Sequence, residues 1–173
     1  YRPAGGFRLE DDPVLHTVTV CGLEADDLDC RSTALYGPEG RVFYVSQGSV
    51  YVWATPWSAR GEAGDGRPRS VLYRMPLDGS APTGLRVSGG PADQFSFLES
   101  GDGHLNVLVR SDGRGDGMWA SEVSEGDAAL LRLPLRSLGD GSGEAPAGAY
   151  RALPDPGPRP LQDPFGGGWV LFG

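Results

Sequence analysis

The chain contains no lysine, no isoleucine and a single asparagine, Asn106, so all 15 of its basic residues are arginine. A GC-rich coding sequence produces that skew, and the arginine count therefore carries little functional information. Acidic residues exceed basic ones, giving a formal net charge of −8. An acidic chain with no basic stripe excludes nucleic acid and argues against anionic membrane surfaces as partners. No apolar run approaches the ~18–20 residues that a membrane-spanning helix needs, so no membrane span is expected in this segment. Tyr1-Arg2-Pro3 supplies neither an initiator methionine nor a signal peptide. The expectation is a chain excised from a longer one, with its targeting signals elsewhere. Chemical motifs are scarce as well. CxxC, HxxxH, HExxH and GxSxG are all missing, which removes the usual redox, zinc and serine-hydrolase signatures.

What is present is punctuation. Glycine (28) and proline (15) make up about a quarter of the chain and cluster between short apolar runs. Strand character falls on Leu15–Cys21, Arg41–Ser46, Ser49–Thr55, Ser70–Leu77, Gly84–Ser88, Gln94–Glu99, His104–Ser111, Gly117–Ser121, Ala129–Leu135, Ala149–Leu153 and Gly168–Phe172. Only 23–36 and 118–133 run long without proline, and neither has a 3.6-residue period, so at most one short helix is expected. Cys21 and Cys30 flank an acidic octapeptide, GLEADDLD. Two cysteines at short spacing predict a disulfide, and with it an extracellular, periplasmic or cell-surface location.

The strands repeat. RVFYVS at Arg41 resembles QFSFLES at Gln94, SVYVWAT at Ser49 matches HLNVLVR at His104, and VLYRMPL at Val71 matches ALLRLPL at Ala129. Four strands recurring about every 50 residues are the pattern of propeller blades. In Ser49–Thr55, Val50, Val52 and Ala54 oppose Tyr51 and Trp53, so neither face is polar, as a blade sandwiched between neighbours requires. The expected fold is therefore all-β, a β-propeller fragment of four-stranded antiparallel blades. Residues 1–40 end one blade, 41–92 and 93–156 are whole blades, and 157–173 start the next. The remaining blades belong to the parent chain.

RVFYVSQGSVYVWATPW and DQFSFLESGDGHLNVLVRS together resemble secreted bacterial and archaeal proteins with a C-terminal β-propeller domain. In that family a YxS…LYVA strand pair precedes NQFSxxE…LRVAT. Tyr44, Ser46, Tyr51 and Val52 fit the first half, and Gln94, Phe95, Ser96, Glu99, Leu105 and Val107 the second. The similarity covers roughly residues 41–136 and departs from the family at Asp93 and in the VLVRS ending. It implies an exported propeller and supplies no catalytic residue. LYRMPLDGSAPTGLRVSG is also similar to the repeat of TolB-like propellers, which stand in front of prolyl-oligopeptidase-type catalytic domains.

Few residues invite chemistry. His16 and His104 sit in separate strands, where structural or surface roles are expected. Asp112 and Asp116 resemble the start of a calcium loop, but Arg114 takes a ligand position and Val123 stands where a bidentate glutamate belongs. Ser111–Gly117 therefore reads as a solvated hairpin loop, and its Arg114-Gly115-Asp116 tripeptide as a chance match. Glu24, Asp26, Asp27 and Asp29 read as a solvated acidic turn. Trp53, Trp57 and Trp119 are expected in the core between blades. Residues 61–69 and 138–148 read as flexible insertions, the places for a partner site. No catalytic residue and no cofactor is expected. The sequence favours a binding or scaffold module for a protein or carbohydrate partner, with the non-catalytic propeller of a larger hydrolase as the alternative.

Overall fold

The computed structural model describes residues 13–23, 27, 29–56, 70–91, 93–114, 123–154, 165–166 and 169–170. The chain is all-β, and among the described residues there is no α-helix. β1 (Val14–Cys21) and β2 (Cys30–Gly37) form a hairpin sheet. A middle sheet contains β3 (Gly40–Val45), β4 (Ser49–Thr55), β5 (Ser70–Pro76) and β6 (Thr83–Val87) as an antiparallel meander. A far sheet follows. In it β7 (Gly90–Pro91) and β8 (Phe97–Ser100) both pair with β9 (His104–Arg114), which pairs in turn with β10 (Val123–Pro134). β11 (Asp140–Glu144) leaves this sheet, and β12 (Tyr150–Ala152) returns to β10. β13 (Phe165–Gly166) and β14 (Trp169–Val170) make a short hairpin.

The middle and far sheets have the same build, with β3, β4, β5, β6 corresponding to β8, β9, β10, β12. Turn bonding repeats too. Ser46 Oγ contacts Ser49 O at 3.1 Å, as Ser100 Oγ contacts His104 O at 3.1 Å. Leu77 N–H donates to Gly48 O as Leu135 N–H donates to Gly103 O.

These equivalences fix the register that string matching misses by one residue. Val45 lies opposite Val50 and Glu99 opposite Leu105, so Val45 and Glu99 correspond, 54 positions apart (45 to 99). The sequence match of Arg41 with Gln94 implies 53. One extra residue enters before Phe97, where Gln94–Ser96 forms a 3-10 turn rather than strand. Asp93 caps that turn, its carboxylate accepting from the Phe95 and Ser96 N–H groups at 2.9 and 3.0 Å.

β4 is buried on both faces, as its two apolar faces predict. Val50, Val52 and Ala54 join Tyr73 and Met75 in a cluster that packs on Leu35 of the hairpin sheet. Tyr51 and Trp53 join Leu72, Leu85 and Val87 in a larger cluster with Phe97, Leu105, Val107, Leu131 and Leu133 of the far sheet. Each fully buried side chain of this size stabilises by about 1.5–3 kcal/mol, so these two interfaces hold the three sheets in one stack.

Two further features depart from the sequence reading. Cys30–Gly37 is a strand, hidden in a run that had no clear period. Residues 138–148, read as a flexible insertion, contain β11, which crosses back and runs parallel to the outer edge of β6. Gly84 and Gly139 exchange backbone bonds at 2.8 and 3.0 Å, Ala145 N–H donates to Arg86 O, and Leu138 is buried in the larger cluster. This clasp covers an edge that would otherwise template aggregation. Gly89, with φ 73°, turns the chain between sheets, where a Cβ would stand 2.6 Å from Arg110 O. The predicted strand Gly117–Ser121 lies outside the described residues.

Candidate functional site

β3 and β8 are the first strands of neighbouring sheets, and successive side chains on a strand point to opposite faces. Tyr44 and Ser46 therefore face the far sheet, where Phe97 and Glu99 face back. Tyr44 stacks on Phe97 with ring centroids 5.6 Å apart and lies 6.0 Å from Tyr51, while Trp53 meets Phe97 edge-on at 6.3 Å. At the end of this aromatic pile sits the Glu99 carboxylate. Its Oε2 accepts from Ser46 Oγ at 2.5 Å and from Tyr51 OH at 2.8 Å. Ser46 has one proton to give, and the shorter contact to Glu99 takes it in preference to Ser49 O. In return its Oγ accepts the Ser49 N–H at 3.1 Å. Arg74 completes the surroundings, its Nε–H donating to Ser49 Oγ at 2.9 Å.

Burial of Tyr51, which is 0 % exposed, pushes its phenol above the ordinary tyrosine range. The bond to Glu99 and the carboxylate charge add to that shift. The arrangement holds a half-buried carboxylate by two hydroxyl donors, as burial of a charge demands. It contains no imidazole to relay a proton to Ser46, because His16 and His104 lie elsewhere.

A second polar group lies on the opposite face of the far sheet. Ser100 Oγ donates to Asp102 Oδ1 at 2.6 Å, and His104 Nδ1 stands 3.2 Å from the same oxygen. Arg132 pairs with Asp102 Oδ2 and donates from Nη1 to Asn106 Oδ1 at 2.7 Å. Asn106 is buried and gives its amide protons to Leu98 O and Ser100 Oγ, both at 3.2 Å. The Ser100 bond first, and then Arg132, hold the Asp102 carboxyl down at about 2. The serine hydroxyl and the imidazole both contact the aspartate, and Ser100 Oγ meets His104 only at its backbone carbonyl, so the side chains do not form a nucleophile–base–acid chain.

The other expected residues fall out as follows. Cys21 and Cys30 form a disulfide across the last pair of the hairpin, with Cα atoms 4.1 Å apart, and a disulfide points to an oxidising environment. His16 is buried and its Nε2–H donates to Pro38 O at 2.8 Å, a structural tie. Trp53 is core, and its Nε1 is buried without a hydrogen-bond partner among the described residues. Asp27 and Asp29 are exposed at the hairpin turn; Glu24 and Asp26 lie outside the described residues. So do Asp116, Trp57, Trp119 and residues 61–69. For Asp112 only the backbone is described, opposite Glu125 in the β9–β10 ladder. Among the described residues no group of three or more His, Cys, Asp or Glu is placed to hold a metal ion, and no helix is long and apolar enough to cross a membrane.

Sequence reasoning quoted Tyr44, Ser46, Tyr51 and Glu99 as motif letters without bringing them together. The missing signal was parity, since only the 54-residue register turns Glu99 toward Ser46. Comparison with family models, with curated proteins and with solved structures returns no match.

Proposed function

We propose that this chain contributes successive blades to an exported β-propeller that acts as a binding or scaffold module for a protein or carbohydrate partner. The observation that carries this reading is the stack itself. Two four-stranded meanders of equal build lie face to face, and their first strands meet directly through Tyr44–Phe97 and Ser46–Glu99. Repeated sheets joined first strand to first strand curve around an axis, which is how blades surround a channel. The blade limits that follow are 1–40, 41–92, 93–156 and 157–173. Resemblance to the secreted proteins with a C-terminal β-propeller agrees with this, and the Cys21–Cys30 disulfide supports export. Polar residues in the stack are engaged in holding sheets together, which leaves the loop-bearing rims as the partner surface.

A structure of the full-length protein tests the proposal. A closed ring of sheets with loop-covered rims is expected. Histidines and carboxylates converging on the channel would replace it with a metal-dependent propeller enzyme. An α/β catalytic domain beside the ring would replace it with a hydrolase propeller that gates substrate.

A further inference from the structure

We infer that the Phe43–Val45 face of β3 is the seat of a first strand from another sheet of the same build, supplied by the parent chain. This rests on the propeller reading above and specifies one of its joints. The joint between β3 and β8 is the template. There, Tyr44 of one first strand and Ser46 just after it meet Phe97 and Glu99 of the next. In the shared register Phe43 and Val45 hold the ladder places of Phe97 and Glu99. They face the opposite way, toward the hairpin sheet.

The receiving half of a second such joint is therefore already built, with Phe43 partly buried and Val45 exposed. Val45 is 56 % exposed where its counterpart Glu99 is half-buried, and Phe43 is only partly buried where its counterpart Phe97 is 3 % exposed. The hairpin sheet covers β4 and β5 through Leu35 and Val18, but it consists of only two strands among the described residues. Those two are the third and fourth of a sheet. β2 leads into β3 as β6 leads toward β8, and His16 ties down Pro38 O as Ser70 Oγ ties down Gly89 O at 3.1 Å. Among the described residues the first pair is missing, and the first strand of that pair is the one inferred to lie over Phe43 and Val45.

The chemistry of the occupant follows from the template. It places an aromatic ring on Phe43, as Tyr44 lies on Phe97. Over Val45 it carries an apolar side chain rather than serine, because Val45 has no carboxylate to accept the bond that Ser46 gives Glu99. Phe43 and Val45 are uncharged, so charge screening does not weaken occupancy of the seat.

Thiol labelling tests this in the protein at its full encoded length. The described cysteines are all in the disulfide, so the thiol introduced by Val45→Cys is read separately. Gln47→Cys, in the exposed turn beside it, sets the rate for an open site. The expected result is that the Val45→Cys thiol reacts with a maleimide roughly tenfold or more slowly than the Gln47→Cys thiol in the full-length protein. In the 173-residue chain alone the two react alike. Val45→Asp is the second probe, expected to lower the melting temperature of the full-length protein and to leave that of the 173-residue chain unchanged. Equal labelling in both lengths overturns the seat. So does protection that appears in the shorter chain only as its concentration rises, since the occupant is then a second copy. If the Val45→Cys thiol is open while the full-length sheets still close into a ring, this joint alone falls. If full length adds no further sheets, the propeller reading falls with it.

Discussion

Ser46, the residue that follows β3, and Glu99 of β8 join two adjacent sheets, and their side chains meet at 2.5 Å on the oxygen that also accepts the Tyr51 hydroxyl. Hydrogen bonds to a charged group contribute about 1.5–3 kcal/mol each. Ser46→Ala removes one of them and also the acceptor for the Ser49 amide, so a loss of about 1–3 kcal/mol is expected. A double-mutant cycle with Glu99→Ala isolates the contact itself. A coupling energy of at least about 0.5 kcal/mol is expected from chemical denaturation. Strict additivity would mean the pair is a bystander and aromatic packing alone holds the joint.

Tyr51 makes the same joint sensitive to alkali. Its phenol is raised by burial first and by Glu99 second, so the folded chain holds that proton more tightly than the unfolded one. The sign follows directly. The contribution is complete below the unfolded tyrosine value of about 10 and is lost as pH rises above it. Melting temperature should therefore fall above about pH 10 in the native protein, and fall less in Tyr51→Phe. Equal alkaline slopes in the two proteins would show that Tyr51 ionises freely.

Parts of this were readable in the residues and parts were not, for physical reasons. The two-faced burial of β4 was legible because Val50, Val52, Ala54, Tyr51 and Trp53 leave no polar face, whichever way the strand is turned. The disulfide was legible from two cysteines at short spacing. β2 was not, because Ser32, Thr33 and Ala34 neither alternate in polarity nor carry large side chains. Nor was the joint between Ser46 and Glu99. A sequence match is blind to pleat, and an error of one residue turns every side chain of a strand to its other face. The turn after Ser46 has two residues and the turn after Ser100 has three, which is how the register drifts between repeats. β11 was invisible for another reason. Its glycine- and serine-rich sequence has no strand propensity, and it is ordered by the edge of β6 that it covers.

Asp102 offers a local titration. Its folded value near 2 means that the stability it contributes is present above the ordinary carboxylate value of about 3.9 and is lost as pH falls through about 2. The group is solvent-exposed, so screening keeps the effect on melting small, and the carboxyl carbon resonance is the better reporter. Its midpoint is expected near 2 in the native protein and higher in both Ser100→Ala and Arg132→Ala. Ser100→Ala removes the leading single cause, whereas Arg132→Ala removes a hydrogen bond and a charge together. A midpoint that stays near 2 in Ser100→Ala would show that the Ser100 bond does not hold the carboxyl down.

The disulfide closes a short loop at the far end of the hairpin, with a sequence separation of 9. A loop of that size is worth about 2–3 kcal/mol on the chain-entropy model. For a chain of this length that corresponds to a fall of about 4–12 °C in melting temperature on reduction, or in the Cys21→Ser, Cys30→Ser double variant. Intact mass before and after alkylation, with and without reductant, checks the bond independently. Two thiols already open to alkylation in protein from an oxidising host would remove the argument for an exported protein.

The clasp is the most separable part of the stack. Leu138 inserts into the core between the middle and far sheets, while the strand that follows it, Asp140–Glu144, touches the middle sheet only along β6. Leu138→Ala is expected to cost about 2–5 kcal/mol if the cavity stays open, and less if the clasp simply lifts away. Hydrogen exchange separates the two outcomes. The Gly84 amide donates to Gly139 O and the Ala145 amide to Arg86 O, so both lose protection if β11 detaches. The amides of β4, buried between two sheets, should keep theirs under the same conditions. Selective loss at Gly84 and Ala145 would define β11 as an independent unit that shields the edge of β6. Loss spread equally across β4 would instead make Leu138 part of the global core, and the clasp would open only when the whole stack unfolds.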